Sequence, residues 1–159
     1  MTKEETYQSI LPQLQALITG EADDIANMAN VAAVLHETFG FWWTGFYRVV
    51  PDLVNPERVG ELVLGPFQGP VACSRIPYGK GVCGTAWAKE ETIIVPDVHL
   101  FEGHIACSGR SQSEIVVPVF RDKKVFAVLD IDSDELNTFD TIDQIYLEKL
   151  ALMLTPATI

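Results

Sequence analysis

Three cysteines, Cys73, Cys83 and Cys107, are the residues of this 159-residue chain best suited to carry chemistry. They are spaced ten and twenty-four positions apart without a C-x-x-C pair, which fits none of the zinc-finger patterns. Cys107 ends the run Gly103-His104-Ile105-Ala106-Cys107, in a segment without periodicity, where exposure and a nearby imidazole favour the reactive thiolate. Cys73 follows Gln68-Gly69-Pro70, just inside an expected strand and close to a flexible turn. These two suit an attacking and resolving pair. Cys83 sits in Gly81-Val82-Cys83-Gly84-Thr85-Ala86 at a helix start, where tight packing explains a small residue. An odd number of cysteines excludes complete pairing within one chain, and burial as small hydrophobes is the inert alternative for all three.

A second constellation is acidic. Residues 125–132 form an apolar run ending in Asp130 and Asp132, and the two-residue period of a strand puts both carboxylates on one face, about 7 Å apart. Glu114 opens a second apolar run, 115–120. The plain alternative is a solvated strand exit through Asp132-Ser133-Asp134-Glu135. Three carboxylates facing one cavity would bind an ammonium group, and their mutual repulsion would raise at least one pKa enough to donate a proton near neutral pH. The third constellation is Phe41-Trp42-Trp43-Thr44-Gly45-Phe46-Tyr47. Strict alternation assigns Trp43 to one face with Phe41 and Gly45, and Trp42 to the other with Phe46. Gly45 then leaves a gap beside Trp43 for a small ligand, and sulfur groups pack well on aromatic rings. His99 and His104 allow a four-ligand zinc site to be drawn with Cys107 and either Cys73 or Cys83, but the loop has no other ligand-rich spacing and no metal is expected.

The elements that must position these groups read as follows. Tyr7, Leu11, Leu14 and Ile18, and then Ile25, Ala29, Ala32, Leu35 and Phe39, recur at helical steps and predict two amphipathic helices over residues 1–40. Pro12 is expected to kink or restart the first, with Gly20 and Gly40 as stops and Asp23 or Asp24 at the second start. Between residues 41 and 132, runs at 41–50, 61–67, 72–76, 92–95, 114–120 and 125–132 predict about six strands. Residues 52–60 read as an exposed excursion, 81–89 as a short helix and 96–112 as a long loop of the kind that carries function. A last helix within 138–155 starts near Asp140, with Ile142, Ile145, Tyr146, Leu150 and Met153 facing inward. Helices at both chain ends around a mostly antiparallel sheet make a single α+β domain over residues 1–159.

Composition narrows the function classes. The chain is 48% hydrophobic and 21% charged, with a net charge of −11. No stretch is basic enough to neutralise phosphates, so nucleic acid is not an expected partner. No apolar run approaches the roughly 20 residues of a membrane helix, and the N-terminus turns acidic at once, unlike a secretory signal. A cytoplasmic location is expected.

Together, the segments Gly65-Pro66-Phe67-Gln68-Gly69-Pro70-Val71-Ala72-Cys73, Gly79-Lys80-Gly81-Val82-Cys83-Gly84, Gly103-His104-Ile105-Ala106-Cys107, Ser113-Glu114-Ile115-Val116-Val117-Pro118 and Leu129-Asp130-Ile131-Asp132-Ser133 closely resemble the free methionine-(R)-sulfoxide reductases. Those enzymes are single GAF domains, and the resemblance covers nearly the whole chain; the excursion at 52–60 looks longer than usual in the family. The resemblance implies that Cys107 is the catalytic cysteine, that Cys73 resolves it as a disulfide, and that Cys83 is a third, secondary one. It implies that Glu114, Asp130 and Asp132 bind the substrate, with Glu114 or Asp132 as proton donor, and that Trp43, joined by Tyr47, walls the substrate methyl group. It further implies reduction of free L-methionine (R)-sulfoxide, recycling by thioredoxin, no cofactor and a homodimer. The competing expectation is a GAF module that senses a small molecule without turnover, against which the absence of an accompanying output domain counts.

Overall fold

The computed structural model describes residues 1–105 and 109–155. Helix α1, Lys3–Ile18, starts at a capping box in which Thr2 accepts from the Glu5 amide and Glu5 returns the bond to the Thr2 amide. It runs through Pro12 without restarting, because Tyr7, Ile10, Leu14 and Ile18 keep one continuous buried stripe on both sides of the proline. Its C-cap is Thr19, in extended conformation, rather than Gly20. Helix α2, Asp24–Phe39, is capped by Asp23 and stopped by Gly40 at φ 68°, a left-handed position that glycine takes without steric cost. Its inward stripe is Asn27, Met28, Val31, Ala32 and Leu35, while Ile25 and Ala29 are exposed. The expected stripe is therefore rotated by about one position: Met28 and Val31 offer more apolar surface than Ile25 and Ala29 at the same helical steps.

Six strands form one wholly antiparallel sheet in the order β3-β2-β1-β6-β5-β4, from β1 Trp43–Val50, β2 Glu61–Gln68, β3 Arg75–Pro77, β4 Ile93–Val95, β5 Ser113–Arg121 and β6 Lys124–Ser133. Two expectations shift here. Strand β1 begins at Trp43, so the alternation counted from Phe41 fails: Phe41 packs with the helical core and Trp42 joins Trp43 on the opposite side. Strand β3 covers only three residues, and Cys73 lies in the irregular connection before it.

Helix α3, Gly81–Lys89, covers one face of the sheet; α1, α2 and the last helix, α4, Thr141–Met153, cover the other. Asp140 and Asp143 form the capping box of α4. Its buried positions Asp143, Tyr146, Leu147 and Leu150 put Leu147 where Ile145 was expected, and Ile145 is turned out to solvent. The carboxylate of Asp143 accepts from Tyr7 Oη at 2.6 Å and Lys3 Nζ at 2.7 Å, which ties the first helix to the last. Between β1 and β2, residues 51–60 form the expected excursion, with Leu53 and Val54 fully in solvent. Among the described residues, no helix is long and apolar enough to cross a membrane.

Candidate active site

Sheet register brings the carboxylates together. Trp43 pairs with Asp132, Gly45 with Asp130, and Glu114 with Asp132, and residues paired across antiparallel strands share a face. Trp43, Tyr47, Glu114, Asp130 and Asp132 therefore all point to the side covered by α3. There they line a pocket of about 550 Å³, its open mouth included, closed by Trp42, Ala72, the first residues of α3 and the loop residues His104, Ile105 and Ser111. Trp42 and Ser111 are site residues that sequence reading missed. The signal for Trp42 was a strand start two residues later than the aromatic run suggests, and Ser111 gave none.

Burial governs the acids. Glu114 and Asp130 are each 5% exposed. Burial, then the charges of Asp130 and Asp132, then hydrogen bonds to both push the Glu114 carboxyl well above its ordinary range. Asp132 is raised well above its range too, first by burial and then by Asp130, against the hydrogen bond from Glu114. Asp130 is raised as well, by burial, although hydrogen bonds to Glu114 and Cys83 hold it below the other two. Of the three carboxyls Asp130 is therefore the first to ionise, and Glu114 holds its proton to higher pH. The Oδ1 atom of Asp130 is buried without a hydrogen-bond partner, an acceptor that a ligand donor would satisfy.

Helix α3 delivers Cys83 to this cluster. Its thiol is buried, and burial followed by the charges of Asp130, Glu114 and Asp132 pushes it well up, so at neutral pH it is a thiol and not a nucleophile. The N-cap of α3, Lys80, makes no side-chain capping bond, and Gly81, Val82 and Cys83 of the first turn, whose amides have no partner within the helix, line the pocket. Gly81 is at φ 63°, and a Cβ there would come 3.1 Å from Ile105 Cδ1, so the loop packs directly on the start of this helix.

The aromatic residues do two jobs. Trp43 and Tyr47 stack with ring centres 5.9 Å apart and wall the pocket. Trp43 Nε1 also donates to Pro70 O at 3.0 Å, and Tyr47 Oη donates to Cys73 O at 2.9 Å, which fixes the connection that carries Cys73. Burial and the neighbouring carboxyls keep the Tyr47 phenol protonated. The space expected beside Gly45 is not open: a Cβ there would collide with Phe67 and come 2.7 Å from Trp43 Cη2, because the Phe67 ring stacks on Trp43. Glycine at this position serves close strand packing.

His104 and His99 separate. His104 Nε2 lies 3.8 Å from Glu114 Oε1, and burial, reinforced by the charge of His99, lowers the imidazole's pKa, which leaves it neutral. His99 is exposed, does not line the pocket, and holds Asp97 Oδ1 at 3.0 Å from its Nδ1, while Cys107 of the zinc set lies outside the described residues. Arg110 Cζ lies 4.3 Å from the centre of the Trp42 ring, a cation at the pocket wall. Cys107, the expected nucleophile, lies outside the described residues.

Comparison with known proteins follows the same outline. The GAF domain family matches residues 22–154. GAF domain-containing protein A of Dictyostelium discoideum is 56% identical over 153 residues, covering 96% of this chain and 92% of its own. The free methionine-R-sulfoxide reductase of Escherichia coli (strain K12) is 43% identical over 155 residues, 97% of this chain and 89% of its own. The crystal structure of the free methionine-R-sulfoxide reductase of Neisseria meningitidis in complex with its substrate superposes with a TM-score of 0.90 at 51% identity, over 97% of this chain and 89% of that one.

Proposed function

The chain belongs to the free methionine-R-sulfoxide reductases of the GAF domain family, and from that premise we propose that the pocket under α3 reduces free L-methionine (R)-sulfoxide by cysteine chemistry recycled by thioredoxin. The observation that carries the reading is the buried, unpartnered Asp130 Oδ1 beside the protonated Glu114. The substrate ammonium donates to Asp130 and Asp132. Its carboxylate takes the first-turn amides of α3, and its methyl group lies against Trp43, with Tyr47 behind. A methionine within a polypeptide has no ammonium to offer, which explains action on the free amino acid.

The Cys107 thiolate attacks the sulfoxide sulfur while Glu114, or Asp132 beside it, protonates the departing oxygen. The sulfur–oxygen bond breaks and water leaves, giving a bond from Cys107 to a methionine sulfonium; a water then attacks the Cys107 sulfur, that bond breaks, methionine leaves reduced, and Cys107 is left as the sulfenic acid. The Cys73 thiol then displaces water from that sulfenic acid to give the Cys73–Cys107 disulfide, and the thioredoxin dithiol reduces it by exchange. Cys83 acts in a secondary part, as a hydrogen-bond donor that favours the ionised form of Asp130. The work is placed in the cytoplasm, in a homodimer.

The test is Cys107→Ser beside Cys73→Ser. Turnover of free methionine (R)-sulfoxide with dithiothreitol falls at least a thousandfold in the first. In the second it persists with dithiothreitol and fails with thioredoxin. Retained turnover in Cys107→Ser removes the nucleophile, and equal activity of Cys73→Ser with both reductants removes the resolving role.

A further inference from the structure

The proposed reaction leaves Cys83 without a task that needs sulfur, and its surroundings supply one. Its Sγ and one carboxylate oxygen each from Glu114 and Asp130 all lie within 4.8 Å of one another, and all three side chains are buried at the pocket floor. We infer that these three groups, with the fourth position left to a water, form an inhibitory site for a thiophilic divalent cation such as Zn²⁺, at the place where the substrate ammonium binds.

Distances agree with the inference. Tetrahedral zinc takes sulfur at about 2.3 Å and nitrogen or oxygen at about 2.0–2.2 Å, so its ligand atoms stand roughly 3.3–3.8 Å apart. The three donors, within 4.8 Å of one another, need to close by at most about 1.5 Å, while His104 Nε2, 3.8 Å from Glu114 Oε1, stands outside that group. An independent sign comes from Asp130 Oδ1, which faces the pocket buried and without a partner. Ligand type then selects the ion. An ammonium gains little from sulfur, a weak acceptor, and the hard cations Mg²⁺ and Ca²⁺ want six or more oxygens. On binding, the ion displaces the Cys83 and Glu114 protons to solvent, and the resulting thiolate and two carboxylates suit Zn²⁺ or Cd²⁺. The ion takes no part in sulfoxide reduction and blocks it by occupying the ammonium's place. This deepens the reading above and rests on it for the overlap with substrate, while the ion site itself stands on the donor geometry.

Cys73 and Cys107 also bind soft metals, so the experiment uses the full-length Cys73→Ser/Cys107→Ser variant, in which Cys83 is the remaining thiol. Under a phosphine reductant, titration with Co²⁺ or Cd²⁺ gives a thiolate-to-metal charge-transfer band that saturates at one ion per chain, and Zn²⁺ displaces the probe. Adding Cys83→Ser abolishes the band, while Glu114→Gln or Asp130→Asn weakens the affinity at least tenfold with the fold retained by circular dichroism. Free L-methionine weakens the apparent affinity as a competitor. The absence of a band in the double variant overturns the ion site and leaves the proposed reaction standing, as does a band indifferent to both carboxyl substitutions. A band with the expected ligand dependence that methionine does not displace overturns the shared occupancy, and with it the placement of the substrate ammonium.

Discussion

The two faces of strand β6 are built from alternate residues of one ten-residue segment and do opposite work. Ala127, Leu129 and Ile131 enter the core under α1, α2 and α4, where they are buried among side chains that need nothing but close packing. Val128, Asp130 and Asp132 face α3; Val128 packs in the core there, and the two acids line the pocket, where burial costs free energy that packing does not return. One face stabilises the domain and the other draws on that stability to hold two buried acids, one with an unpartnered oxygen, in place. On the proposed function, stability and activity should therefore separate along a single strand, residue by residue.

Substitutions on the two faces sharpen or break this contrast. The largest effect on the fold is expected from Leu129→Ala, which empties a fully buried site and costs about 3 kcal/mol, read as a lower urea midpoint at unchanged slope. Its turnover below the unfolding transition stays near wild type, and a hundredfold loss of turnover in a folded Leu129→Ala protein would break the separation. Asp130→Asn is the inverse case. Its kcat/KM for free methionine (R)-sulfoxide falls about a hundredfold, near 2.7 kcal/mol, while its midpoint is unchanged or higher because a buried ionisable group is gone. Smaller is the effect of Gly45→Ala, whose added methyl group meets Phe67 and Trp43; about 1–3 kcal/mol of overpacking is expected in the urea midpoint.

The smallest effect is one of pH. The folded-state pKa of Glu114 lies well above its ordinary 4.5, so its proton stabilises the fold fully below that ordinary value, and the contribution is lost as pH rises towards the folded pKa. The Tm of wild type minus that of Glu114→Gln should accordingly decline from about pH 4.5 upward. A difference that grows with pH would mean that the Glu114 carboxyl is ionised in the fold.

Much of this was legible in the residues themselves. The period of two in β6 and the apolar run after Glu114 announced strands ending in acids, and the register then placed all three carboxyls on one face. What misled was local counting where a neighbour decides. The phase of α2 is set by which stripe meets the sheet, and Ile145 yields to Leu147 for the same reason. Gly45 looked like an opening because the sequence does not say that Phe67, twenty-two residues on, fills it. The approach of His104 to Glu114 and the tether from Tyr47 to Cys73 are tertiary contacts that no spacing encodes.

The central claim is that the face under α3 recognises the ammonium of a free amino acid in order to reduce its sulfoxide. Its most direct measurement is methionine formed by the purified protein with dithiothreitol from free L-methionine (R)-sulfoxide and, in parallel, from the N-acetylated sulfoxide. The account predicts sustained turnover of the free amino acid and at least a hundredfold lower kcat/KM for the acetylated one; no turnover of the free substrate, or equal rates for the two, would contradict it.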